Sequence, residues 1–142
     1  MSEPPSPSPH FSARTERSGE GVLVVRLAGE LDIATAPVAR AELLRAVRQG
    51  PRVVAVDLGD LEFIDSNGSR LLLEAAEAAE AARVPFAVVA SRFPGVRRTL
   101  ALLGLERLLN LVEGLGDIEG GARASAQGSV VRTISTGDGG GE

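Results

Sequence analysis

The run Val53-Val54-Ala55-Val56-Asp57-Leu58, followed by Leu61, Phe63 and Ile64, gives way at Asp65-Ser66-Asn67-Gly68 to Leu71-Leu72-Leu73 and an alanine-rich segment. The first stretch, apolar apart from Asp57 and rich in β-branched valine, reads as a central strand covered on both faces. The leucines and alanines over Gly68 to Arg83 read as a helix. The polar junction between them puts a serine hydroxyl at a helix N-terminus, where backbone N–H groups and the helix dipole favour added negative charge. Such a turn is also what capping alone requires: Ser, Asp and Asn are preferred caps, and Gly68 lets the backbone turn sharply or approach closely.

Outward from this junction, strand and helix signals alternate. Thr35 can cap a helix with Pro37 near its second position, where proline costs little. Ala36, Ala39, Leu43, Leu44 and Val47 fall close to one face of it, with Arg40, Arg45 and Arg48 turned elsewhere, and Gly50-Pro51 stops it. Before it, Gly21 introduces the β-branched run Val22 to Leu27, ended by Gly29, and Phe11 to Glu16 alternates weakly as an edge strand. These two can pair as an antiparallel hairpin across Arg17 to Gly21. On the other side, Pro85 precedes a strand at Phe86 to Ala90. Pro94 opens a third helix with Val96, Leu100 and Leu103 inward and Gly104 at its end, and Leu108 to Val112 is a last short strand. The order β-β-α-β-α-β-α-β predicts a single small α/β domain. Its sheet is mixed but mostly parallel, with helices packed against it and an antiparallel edge at the start. The domain is expected over residues 11–119. The Ser/Pro-rich residues 1–10 and the Gly/Ser-rich residues 120–142 are expected to be disordered tails.

Composition narrows the chemistry. Among 142 residues there are four Phe and no Trp or Tyr, so the core must be aliphatic. The absence of cysteine excludes disulfides, zinc–thiolate sites and a cysteine nucleophile. His10, the only histidine, lies in the Ser/Pro-rich tail, away from any catalytic or metal-binding set. No Gly-rich phosphate loop followed by lysine is present, and no glycine precedes Ser66 as a nucleophile elbow requires. No enzyme activity, cofactor or metal is therefore expected. A net charge of −4 without a basic stripe argues against nucleic acid as a partner. No apolar run is long enough to span a membrane, and Met1 to Pro9 lacks a signal-peptide pattern, so a cytoplasmic protein with no membrane partner is expected.

Several short motifs occur in a fixed order: Gly29-Glu30-Leu31-Asp32-Ile33 with Thr35-Ala36, Val56-Asp57-Leu58, Phe63-Ile64-Asp65-Ser66-Asn67-Gly68, Ser91-Arg92-Phe93-Pro94-Gly95-Val96 and Leu103-Gly104-Leu105. In this order and at these distances the chain resembles the bacterial anti-sigma factor antagonists of the STAS family (sulphate transporter and anti-sigma factor antagonist domain).

That resemblance implies a non-enzymatic regulator of transcription in a stress response. It would bind an anti-sigma factor serine kinase, be released by phosphorylation of Ser66, and be restored by a serine phosphatase. Asp65 would support the acceptor and Gly68 would hold its turn. The partner surface would take in Glu30, Asp32, Asp65, Ser66, Asn67, Gly68, Ser69 and Arg70. Many relatives carry Ser or Thr at the position of Asn67, and an apolar then a small residue at those of Ser69 and Arg70. Here Ser69 offers a second hydroxyl, and Arg70 puts a guanidinium in the helix's first turn. Glu74, Glu77 and Glu80 form a stripe that reads as a solvated face or as the rim of the partner surface. Glu30 and Asp32 can equally serve the approach to the next helix. Arg97 and Arg98 read as the exposed face of the third helix. The rival reading within the family is a non-catalytic subunit of a stress-signalling assembly or a lipid-transport complex.

Overall fold

Six strands and three longer helices, with a further helical turn at residues 115–118, are found in a computed structural model that describes residues 11–118. The tails expected at residues 1–10 and 120–142, and Glu119 at the domain's predicted end, lie outside the described residues. The elements are β1 (Phe11–Arg17), β2 (Val22–Leu31), α1 (Ala36–Arg48), β3 (Val53–Asp57), β4 (Leu61–Ile64), α2 (Ser66–Ala81), β5 (Phe86–Val89), α3 (Pro94–Leu102) and β6 (Leu111–Val112). The sheet runs β1-β2-β3-β5-β6, and β4 also pairs with β2. The hairpin β1–β2 is antiparallel; all other pairings are parallel. This is the predicted α/β class, with the antiparallel edge where two strands follow each other without a helix.

Alternation along the strands assigns side chains to the two faces. Leu23, Val25 and Leu27 of β2, Val54 and Val56 of β3, and Phe86 and Val88 of β5 join α1 and α2 in the larger core, with Ala39, Leu43, Leu71, Leu72 and Ala75 from the helices. Val22, Val24, Val53, Ala55, Ala87 and Val89 form a second cluster on the opposite face with Ile118. β3 therefore has both faces covered, as a continuous apolar run requires. Burying one such Leu, Val or Phe side chain contributes about 1.5–3 kcal/mol. Among the described residues Phe86 is the one fully buried aromatic in this otherwise aliphatic core.

Four local features differ from the sequence reading. β2 does not stop at Gly29: it continues to Leu31 because β4 offers it a new partner, after a register shift between Gly29 and Glu30. β4 is thus a strand in its own right, added to the predicted order, reached through a turn in which the Leu61 N–H donates to the Leu58 carbonyl at 2.9 Å. At the other end only Leu111 and Val112 pair as β6. Leu108 to Asn110 lie instead in turns, where the Leu109 N–H donates to the Leu105 carbonyl at 2.9 Å and the Leu111 N–H to Glu106 at 3.0 Å. Finally, Leu103 is the exposed C-cap of α3, followed by Gly104 at φ 70°, and Leu105 takes the inward position. In α1 likewise, Ala46 is buried while Leu44 is only half-buried.

Candidate functional site

β2 and β4 are parallel, so the loops that follow them emerge at the same end of the sheet. The Asp65 N–H donates to the Leu31 carbonyl at 3.2 Å and ties the two loop entrances together. Crevices outside the carboxyl ends of parallel strands are where such sheets present functional groups.

In the second loop, Asp65 is the N-cap of α2 in an extended conformation, and its Oδ1 accepts from the Gly68 N–H at 2.9 Å. Asn is not the cap; the helix opens at Ser66, two residues before the predicted start. Ser66 and Asn67 are exposed, and neither side chain bonds to another described residue. Ser69, one helical turn on, is 1% exposed. Its hydroxyl donates to the Asp65 carbonyl at 3.0 Å. Two serines three residues apart thus have opposite fates: one hydroxyl faces solvent, the other closes the helix's first turn. Gly68 sits inside the helix and does not form a sharp turn. A Cβ there would lie 2.7 Å from both Leu31 Cγ and the Leu31 carbonyl oxygen and 2.9 Å from Ile64 Cγ1. Glycine is needed so that α2 can start directly against the ends of β2 and β4.

The first loop is braced by its own side chains. The Thr35 hydroxyl donates to the Glu30 carbonyl at 2.8 Å and accepts from the Asp32 N–H at 2.9 Å. Asp32 Oδ1 accepts from the N–H groups of Ala34 and Thr35 at 3.0 and 3.1 Å. Thr35 occupies the N-cap position of α1, yet its hydroxyl turns back to the loop and makes no capping bond. The Asp32 carboxylate is thus taken up by loop structure, whereas the Glu30 side chain is exposed and bonds to no described residue.

Three apolar side chains that the sequence does not mark as exposed lie open to solvent on the segments around these loops: Ile33, Val38 and Phe63, the first 70% exposed. Phe63 pairs in register with Glu30. A large apolar residue inside the polar turn Asp32-Ile33-Ala34 was the signal available for Ile33. Arg70 is exposed and its guanidinium has no partner among the described residues. From the glutamate stripe, Glu74 pairs with Arg40 of α1 at 2.9 Å, while Glu77 and Glu80 are exposed. Arg97 is committed to Glu113 at 2.9 Å, and Arg98 is exposed. Among the described residues no group of His, Cys, Asp or Glu is arranged to hold a metal. Ser91, within one of the ordered motifs, is buried; its hydroxyl donates to the Leu61 carbonyl at 2.7 Å and accepts from the Phe93 N–H at 2.9 Å, fastening the start of β4 to the start of α3.

The family model for the STAS domain matches residues 15–118. The anti-sigma-F factor antagonist RsfB of Mycobacterium tuberculosis is 33% identical over 103 residues, which cover 72% of this chain and 83% of that protein. An anti-sigma factor antagonist from Mycobacterium paratuberculosis has a crystal structure that superposes with a TM-score of 0.73 at 31% identity, covering 82% of this chain and 97% of the other. The anti-sigma factor antagonist SpoIIAA in its unphosphorylated form superposes with a TM-score of 0.63 at 25% identity, covering 81% and 97%. The chain belongs to the STAS domain family.

Proposed function

We propose that this protein is an anti-sigma factor antagonist that binds an anti-sigma factor serine kinase and is switched off by phosphorylation of Ser66. The observation that carries the reading is the contrast at the start of α2, where Ser66 alone of the two serines offers a free, exposed hydroxyl. The named relatives, anti-sigma factor antagonists over most of their length, support the regulatory role. In the reaction the Ser66 oxygen takes the terminal phosphoryl group of the kinase's nucleoside triphosphate, releasing the diphosphate and the hydroxyl proton. A serine phosphatase hydrolyses the ester and returns the hydroxyl.

Phosphorylation adds roughly 1.5–2 negative charges to one exposed point. At a helix N-terminus the domain tolerates that charge, because the dipole and the free first-turn N–H groups favour it. Beneath a docked partner the same charge loses its water, and the interface carries the cost. The contact surface is the two loops, with Glu30, Asp65, Ser66, Asn67 and Arg70 as its polar part and Ile33, Val38 and Phe63 as its apolar part. Asp32, Gly68 and Ser69 shape it from beneath. The protein acts without catalysis of its own, in the cytoplasm; among the described residues no helix is long and apolar enough to cross a membrane.

Phosphosite mapping by mass spectrometry on protein isolated from its own cells, before and after stress, tests the acceptor. The expected result is phosphate on Ser66 and none on Ser69. A chain that stays unmodified in every condition, or carries its phosphate elsewhere, contradicts the switch.

A further inference from the structure

Resting on the reading of Ser66 as a phosphoacceptor, we propose that Arg70 holds the phosphate within the chain, as an ion pair between phosphorylated Ser66 and the Arg70 guanidinium. Arg40 is the positioning residue that keeps Arg70 free for it. Ser66 and Arg70 are the first and fifth residues of α2. Residues at that spacing stand on one helix face with Cβ atoms about 5–6 Å apart, and an acidic group N-terminal to a basic one is the favoured order. A guanidinium spans such a gap and presents a planar fork to two phosphate oxygens.

The surroundings leave Arg70 available. Its competing partner on the helix is Glu74, four residues farther on, in the less favourable order. Glu74 is held across the helix pair by Arg40 of α1, whose Nη2 and Nε lie 2.9 and 3.0 Å from Oε1. Two carboxylates of the loops are engaged locally. Asp65 accepts from the Gly68 N–H, and Asp32 accepts from Ala34 and Thr35. Glu30, on β2, is exposed without a partner among the described residues. In the unmodified protein Arg70 offers a positive charge to whatever docks on this surface. Phosphorylation adds negative charge and withdraws that cation in the same step, so one modification changes two features of the interface.

The test uses the full chain with phosphoserine installed at position 66 during translation, titrated by phosphorus NMR at low salt. Wild type is compared with Arg70→Gln, Arg70→Lys and Arg40→Gln. The phosphate's second ionisation should occur at lower pH in wild type than in Arg70→Gln, by roughly 0.3 of a pH unit or more. Arg70→Lys should recover part of the difference, and about 1 M salt should abolish it, since an exposed pair is screened. Arg40→Gln should move the midpoint in the same direction as Arg70→Gln but less far, because the released Glu74 then competes for Arg70. Identical midpoints for wild type and Arg70→Gln overturn the pair; an Arg40→Gln midpoint equal to wild type overturns the role of Arg40. Because the phosphate is installed without a kinase, this result is independent of whether cells phosphorylate Ser66, which the mapping experiment reads separately.

Discussion

Asp65, Ser66, Gly68 and Ser69 are small residues within one turn, and each meets a different environment. Asp65 caps, Ser66 faces water, Gly68 lies against Leu31, and Ser69 is buried with its hydroxyl satisfied. The identity of this turn was legible in the sequence, since cap residues between an apolar run and a leucine-rich segment mark a helix start. The division of labour was not. Two serines three apart look equivalent until helix phase turns one inward, and the need for glycine depends on Leu31, a residue far away in sequence. Gly68→Ala should therefore destabilise the protein by about 1–3 kcal/mol, because one of the atoms it meets is backbone and cannot rotate away. Ser66→Ala, at an exposed position without side-chain bonds, should stay within about 0.5 kcal/mol of wild type. Urea denaturation of the two variants checks this; equal midpoints would mean that α2 can shift outward at no cost.

At the scale of elements, the helices α1, α2 and α3 and the strands β2, β3 and β5 could be read because each carries a long periodic signal or a β-branched run. β4 could not be told from the end of β3. It has four residues with only its first and last buried, so neither alternation nor a continuous apolar run announces it. What defines it is pairing with the last part of β2, which is a tertiary event. The same limit hid the turns over Leu108 to Asn110, whose leucines resemble a strand although only Leu109 is buried. The edge hairpin also carries a titratable contact. The Arg26 guanidinium donates to Glu16 at 2.7 Å and also pairs with Asp57. That hydrogen bond, with the charge behind it, holds the Glu16 carboxyl below its usual range and raises Arg26. A carboxylate lowered by folding adds stability above its unfolded pKa, and that stability is lost as pH falls through the folded value. Glu16→Gln should accordingly be less stable than wild type at neutral pH, with the gap closing as pH falls below the ordinary carboxylate range. Thermal melts of both proteins across acid pH check it; a gap that widens toward acid contradicts the assignment.

Across the whole molecule, the sheet is the base and the proposed contact surface sits on two loops at one end of it. The α/β class and the position of Ser66 followed from strand–helix alternation and the ordered motifs, whereas the exposed Ile33, Val38 and Phe63 and the Arg40–Glu74 contact needed the folded chain. Charge added at Ser66 meets no buried partner, so it should alter what binds without altering the fold. The most direct test of the phosphorylation switch is capture from native lysate on Ser66→Ala and Ser66→Asp baits of equal melting temperature, with bound proteins identified by mass spectrometry. An anti-sigma factor serine kinase is expected on the Ser66→Ala bait and is expected to be lost from Ser66→Asp. Equal capture of that kinase by both, or of subunits of a larger assembly by both, contradicts the switch.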